Sequence, residues 1–220
     1  MNYLRIPEER IRAVYESIDH TVFPPLAQPS SFRYPYILLV GSEHPRENLP
    51  TSIRTFGKLK ERRQFKHLKL AKVGKAGRKE ADFRKQIMEI MASLNLDGEV
   101  TFSEFISEEN LRACYCGAEC FVLPCLYEGF GFPPLKAMAC GGPVITSDSS
   151  SLPEVVNGAA IKVSREDVDG LAEALQKVLI DKQLKKNLPK RGMAQASKFT
   201  WEQAARKTLD AYKEVQKELR

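Results

Sequence analysis

The residues best suited to chemistry lie in the run Glu128-Gly129-Phe130-Gly131-Phe132-Pro133-Pro134-Leu135-Lys136-Ala137-Met138-Ala139-Cys140-Gly141. Phe121-Val122-Leu123, just before it, reads as a short buried strand. A glycine-bearing turn follows, then a proline pair suited to the first turn of a helix that Gly141-Gly142-Pro143 closes. A strand, a tight glycine loop and a helix N-terminus form an anion-binding corner. Backbone N–H groups and the positive end of the helix dipole both face whatever sits beyond the strand. Glu128, at the mouth of that corner, is a polar hook for a neutral, hydroxyl-rich group beside the anion. A diphosphate carrying a sugar meets both demands.

Ligands of open parallel sheets bind beyond the carboxyl ends of the strands. The loops there open at Gly41, Gly74, Ser103, Pro124 and Ser147. The first, Gly41 to Asn48, contains Ser42 and a single cation, Arg46. The second, Gly74-Lys75-Ala76-Gly77-Arg78, is basic but too short for a dinucleotide fingerprint. Ser103-Glu104-Phe105-Ile106 follows a strand and reads equally well as a plain strand-to-helix turn. Asp167-Val168-Asp169 sits at an expected helix start, where acidic residues serve the dipole. His20, His44 and His67 are isolated in sequence; His44 alone falls at the ligand-facing edge, and as a surface residue. Paired C-x-x-C or Cys/His spacing is absent, which argues against a metal site. No hydrolase arrangement of Ser/His/Asp or Cys/His is present either.

On these residues, Pro124-Cys125-Leu126-Tyr127-Glu128-Gly129-Phe130-Gly131, continued through Ala137–Gly141 to Ser151-Leu152-Pro153-Glu154-Val155, resembles a donor-site signature. It is that of the retaining glycosyltransferases of family four (group 1), whose two-domain architecture is GT-B. The likeness runs from Ile6-Pro7-Glu8-Glu9 and Ile18-Asp19 to Phe199-Thr200-Trp201. It implies a C-terminal donor domain holding a nucleotide sugar, and front-face transfer of a hexose with retention to a glycan or lipid acceptor. It implies no metal or other cofactor, the nucleoside-diphosphate sugar being the co-substrate. By position it implies donor contacts from Gly41, Ser42, Arg46, Lys75, Glu104, Phe105, Glu128, Gly129, Phe130, Gly131, Phe132 and Lys136, with Glu128 also catalytic.

Two departures from the family's pattern follow. The family places an arginine after the first glycine and a lysine before the asparagine, where this chain has Ser42 and Glu47. Its second motif glutamate, which holds the nucleotide ribose, is replaced here by Lys136. Each charge-assisted phosphate contact is worth about 1.5–3 kcal/mol. Either Lys136, helped by Lys75 or Arg78, takes over phosphate neutralisation, or the site has decayed. The rival readings are therefore a non-catalytic paralogue or interaction module with a degraded site, and, third, a GT-B epimerase, for which no extra acid/base carboxylates are evident. Asp167-x-Asp169 imitates the metal motif of the other main glycosyltransferase fold but has the helix-start explanation above.

The expected architecture is α/β, a doubly wound, mostly parallel Rossmann-like sheet of about six strands flanked by helices, one half of a GT-B fold. Strands are expected at Tyr36–Val40, Leu68–Val73, Glu99–Phe102, Glu119–Leu123, Pro143–Thr146 and Ala159–Val163. Helices are expected near Asn48–Gln64, Lys79–Leu94, Ser107–Tyr115, Pro134–Cys140 and Ser151–Val156, then a tail from Glu166 to Leu219 broken near Pro189 and before Trp201. Ser151-Leu152-Pro153-Glu154 has the form of a capping box. Residues 1–35, dotted with proline, are expected to be an interdomain linker and remnant of the N-terminal domain, 36–198 the donor domain and 199–220 a crossover helix. No acceptor domain is evident, so the expected partner is that missing N-terminal domain or another chain, and the apolar stripe of the last helix should lie exposed or become a dimer contact.

At 220 residues the chain can bury roughly 70% of its unfolded surface. It has no apolar run near the ~20 residues of a membrane span and no signal peptide after Met1. Cys114, Cys116, Cys120, Cys125 and Cys140 lie in or beside apolar segments and suit buried, reduced thiols of a cytoplasmic protein. The net charge of +6 gathers between Arg54 and Lys85. A solvated helix face is the plain explanation; a weak peripheral contact with an anionic membrane is the sharper one, and nucleic acid is excluded by the lack of any binding motif.

Overall fold

All six strands form within two residues of their expected bounds in a computed structural model that describes residues 6–26, 32–75, 81–104 and 106–218. They are β1 (Tyr36–Val40), β2 (Lys69–Val73), β3 (Val100–Ser103), β4 (Cys120–Leu123), β5 (Val144–Ser147) and β6 (Ile161–Val163). Every neighbouring pair is parallel, in the order β3-β2-β1-β4-β5-β6. Parallel neighbours need crossovers, and here helices supply them: α1 (Leu49–Lys60), α2 (Ala81–Ser93), α3 (Glu108–Gly117), α4 (Phe132–Ala139) and α5 (Leu152–Val156). The chain ends in α6 (Val168–Ile180), α7 (Lys182–Ala196) and α8 (Trp201–Glu218).

Because helices cover both faces, alternate residues of one strand enter different cores. Tyr36 and Leu38 join Tyr115, Phe121, Leu135 and Val155, whereas Ile37 and Leu39 join Ile53, Phe56, Leu70 and Val178. This is why β1 and β4 read as unbroken apolar runs rather than as alternating ones.

The C-terminal stretch departs from expectation. Its first break falls at Asp181, not near Pro189. Asp181 accepts from the N–H groups of Gln183 (2.9 Å) and Leu184 (3.0 Å), a cap that starts α7 afresh. Pro189 stays inside α7, where tertiary packing outweighs its local cost of ~3 kcal/mol. Leu188 and Ala196 are buried, Gly192 lies against Met138 of α4, and Gln195 Nε2 donates to Val155 O at 2.9 Å. The break before Trp201 forms as expected.

The N-terminal segment packs closely. Ser17, Ile18 and Phe23 are buried, and Ser17 Oγ and His20 Nε2 both reach Phe199 O. The stretch from Tyr15 to Pro25 thus straps the start of α8 to the α3/α4 face; Pro29-Ser30-Ser31 lies outside the described residues. On α8, Trp201, Leu209, Tyr212 and Val215 are 51–70% exposed, so its apolar stripe is uncovered as expected.

Part of the basic run is spent on ion pairs within the fold. Lys58 pairs with Asp169, Lys60 and Lys69 with Glu99, and Lys72 with Glu43. Lys60 also donates to the carbonyls of Lys66 and Leu68. Among the described residues, no helix is long and apolar enough to cross a membrane.

Candidate functional site

Beyond β1 the chain turns to one side of the sheet and beyond β4 to the other, which opens a crevice between the loops 41–48 and 124–131. Gly74, after β2, supports it from below at φ 126°. A Cβ there would stand 2.0 Å from Gly41 O, so no side chain fits.

Asn48 locks the two crevice loops together, a role sequence reasoning missed. At φ 56° it caps α1, while its Nδ2 donates to Pro124 O (2.8 Å) and Arg165 O (2.6 Å). Its Oδ1 accepts from Thr51 Oγ1, and Leu126 N donates to Arg46 O at 2.7 Å. The available signal was an asparagine before Leu-Pro, a residue type that tolerates the left-handed region.

The glycine loop and the α4 N-terminus form the expected corner. Gly131 is the N-cap at φ 114°, with Pro133 and Pro134 in the first turn. A Cβ on Gly131 would meet Leu152 Cδ2 at 3.0 Å. Gly129 is open, with nothing within 4 Å of its missing side chain, and its N–H donates to Glu128 Oε1 at 3.2 Å. Phe130 stacks with Tyr15, Phe132 and Phe199, at centroid distances of 6.4, 5.1 and 5.9 Å.

Ser151 is not the capping box that its sequence suggests. Its side chain makes no cap bond and instead donates to Glu128 O (3.0 Å) and Phe130 O (2.8 Å). Ser150 Oγ accepts from Glu128 N at 2.8 Å. The corner's carbonyls offered a better partner than the first turn of a five-residue helix. With a net value of about 0.5–1.5 kcal/mol per hydrogen bond, Ser151→Ala is expected to lose about 1–2 kcal/mol of unfolding free energy in urea titration. An unchanged midpoint would show that the loop holds itself.

Across the crevice, Glu47 faces Glu128. Its carboxylate lies over Gly41, hydrogen-bonds weakly to Ser42 Oγ (3.4 Å) and stands 3.7 Å from Arg46 Nε. Burial, then repulsion from Glu128, raises the Glu47 carboxyl above the ordinary glutamate range, with Arg46, Ser42 and Lys72 opposing. A cavity of about 20 Å³ separates these loops, lined by Gly41, Ser42, Glu47, Lys72, Leu123 and Pro124. Under it lies an ion cluster that sequence reasoning did not find. Glu43 is fully buried, gripped by both nitrogens of an Arg84 fork and by Lys72 Nζ at 3.5 Å. Burial holds the Lys72 ammonium below the ordinary lysine range despite the attraction of Glu43.

The other expected contacts are scattered. Lys136 lies with Nζ 4.5 Å from the ring centroid of Phe23 in the N-terminal strap. The expected role for it in phosphate neutralisation thus meets a competing cation–π partner. Arg46, Lys75 and Glu104 are exposed. Phe105, Gly77 and Arg78 lie outside the described residues. His44 is exposed, its Nδ1 accepting from Arg46 N. Asp167 caps α6 by accepting from Gly170 N, as its place at a helix start implied.

Comparison with known proteins agrees with this geometry. Residues 27–195 match the family described as "Glycosyl transferases group 1". Over 178 residues the chain is 34% identical to O-antigen chain mannosyltransferase B of Escherichia coli, covering 81% of this chain and 45% of that protein. The chain thus spans less than half the length of that relative. Sucrose-phosphate synthase of Thermosynechococcus elongatus superposes with a TM-score of 0.79 at 28% identity, over 93% of this chain and 52% of the other. The C-terminal domain of a group 1 glycosyl transferase (LpcC) of Francisella tularensis shares the fold, with a TM-score of 0.72 at 20% identity over 83% of this chain and 97% of that one. The parallel six-stranded sheet, the glycine corner at the head of α4 and the profile match place this chain in the group 1 glycosyltransferases, as a C-terminal domain of GT-B type.

Proposed function

We propose that this domain binds a nucleoside-diphosphate hexose and serves transfer of the sugar, with retention, to a glycan or lipid acceptor. The single observation that carries this reading is the Glu128–Gly131 loop running into the α4 N-terminus at the crevice between β1 and β4. The diphosphate sits against the amides of Gly129 to Phe132 and the α4 dipole, with the exposed Arg46 and Lys75 as counter-charges and no metal. Glu128 turns from the Gly129 amide to the sugar hydroxyls. Leaving-group charge is stabilised by those fixed donors, and the acceptor hydroxyl is positioned by an N-terminal acceptor domain that packs on the exposed stripe of α8. Mannose is the favoured hexose, because the E. coli relative is named a mannosyltransferase.

Titration calorimetry with a nucleoside-diphosphate mannose, repeated in EDTA, tests this. Binding heat that survives the chelator and disappears in Gly131→Val supports it; silence across a panel of sugar nucleotides overturns it. A second reading, a non-catalytic module with a degraded site, is favoured by one observation: a desolvated Glu47 confronts Glu128 where the family has a cation. Silence in the panel is its expected result.

A further inference from the structure

Cys116 and Cys140 come together beneath the N-terminal strap, away from the sugar-nucleotide crevice. Cys116 lies in the last turn of α3 and is half-buried; Cys140 closes α4 and is 4% exposed. Their sulfurs address consecutive carbonyls of the same segment: Cys140 Sγ lies 3.7 Å from Phe23 O, and Cys116 Sγ 3.8 Å from Pro24 O. Each thiol also lies near enough to the other to shift its acidity. Cationic groups flank the pair. Arg112 Nε donates to Pro24 O at 2.9 Å, and Lys136 lies over the Phe23 ring one helical turn before Cys140.

We propose that Cys116 and Cys140 form a reversible dithiol–disulfide couple, with Cys116 as the sulfur that meets a hydroperoxide and Cys140 as its resolving thiol. The Cys116 thiolate attacks one peroxide oxygen, an S–O bond forms, and hydroxide or alkoxide leaves with the electron pair of the O–O bond. Cys140 then attacks the Cys116 sulfenic sulfur, an S–S bond replaces the S–O bond, and water departs. Two electrons pass from the thiols to the peroxide. The disulfide ties the C-terminus of α3 to that of α4 and removes the S–H donor that Cys140 offers Phe23 O, which loosens the strap.

Electrostatics support the division of roles. Interaction with Cys140, with help from Arg112, brings the Cys116 thiol down to about 7, while the same interaction and burial push Cys140 far up. Burial raises Cys125 to about 11 and pushes Cys120 up. A thiol that is half ionised at neutral pH reacts on the order of ten times faster than an ordinary one.

Iodoacetamide labelling of the full chain at pH 7, read by peptide mass spectrometry, is expected to modify Cys116 at least about tenfold faster than Cys125. After stoichiometric hydrogen peroxide, the intact mass should fall by two hydrogens and a Cys116–Cys140 linked peptide should appear, both reversed by dithiothreitol. Cys116→Ser and Cys140→Ala should each abolish the linked peptide. A disulfide that engages another cysteine, or sulfinic acid at Cys116 with Cys140 still alkylatable, would overturn the proposal. So would slow labelling of Cys116 in the unmodified chain, which depends on no variant.

Discussion

Glu43→Gln is expected to lower the unfolding free energy by about 3–5 kcal/mol at pH 7, the usual cost of leaving a buried charge without its partner. Glu43 is fully buried and the Lys72 side chain is 3% exposed, so neither has water to fall back on. Arg84 can swing toward solvent, since its side chain is 28% exposed; Lys72 cannot. The loss should also depend on pH. Burial already holds Lys72 below the ordinary lysine range, and Glu43 is the main influence pulling it back. Without that carboxylate the folded-state value falls further below the unfolded one. The native state then binds fewer protons than the unfolded state across the interval between them, so its stability rises with pH there. Denaturant titrations at pH 7 and pH 9 should therefore show the larger deficit at pH 7. A loss under about 1 kcal/mol would mean that the cluster contributes little, and an equal loss at both pH values would mean that Lys72 is not the group left stranded.

The second large effect concerns affinity. Glu47→Lys should tighten binding of a nucleoside-diphosphate mannose by roughly tenfold or more, since one charge-assisted phosphate contact is worth about 1.5–3 kcal/mol. The substitution removes the repulsion between Glu47 and Glu128 and places a cation beside Gly41 and Ser42. Glu47→Gln isolates the first of these contributions and should give a smaller gain. Stability gives an independent check. The Glu47 carboxyl titrates above its unfolded value, so the folded state holds the extra proton in the interval just above the ordinary glutamate range. Its burial as an anion costs stability above that interval, and the cost fades on acidification. Glu47→Gln should therefore stabilise the fold at pH 7 and lose that advantage near pH 4. Calorimetry showing weaker binding by Glu47→Lys than by the wild type would remove Glu47 from the donor site.

The positions of β1 and β4 were legible because each is covered on both faces. Tyr36–Val40 and Cys120–Leu123 have no solvent side, so they announce themselves as unbroken apolar runs bounded by glycine or proline. Ser107 and Asp167 were legible as helix starts, and each bonds an N–H three residues ahead, Asn110 and Gly170, within reach of local sequence. Ser151 has the same form and fails. The carbonyls of Glu128 and Phe130, over twenty residues away, compete for its hydroxyl, and no local rule sees them. Pro189 fails for a similar reason: its local penalty is real, but α7 is held down by Met138 and Val155 from other elements.

The order of residues by itself determined the sheet, its helical crossovers and the glycine corner at the head of α4. Those depend on hydrophobic pattern and on backbone conformations that few residue types can adopt. Tertiary structure alone decided where the charges went. It buried Glu43 between Lys72 and Arg84, turned Lys136 onto Phe23, spent part of the basic run on ion pairs and set two thiols under one strap. The reason is physical. Apolar burial is recorded in nearest-neighbour periodicity, whereas a charge or a sulfur takes its role from whichever group the completed fold brings within a few ångströms.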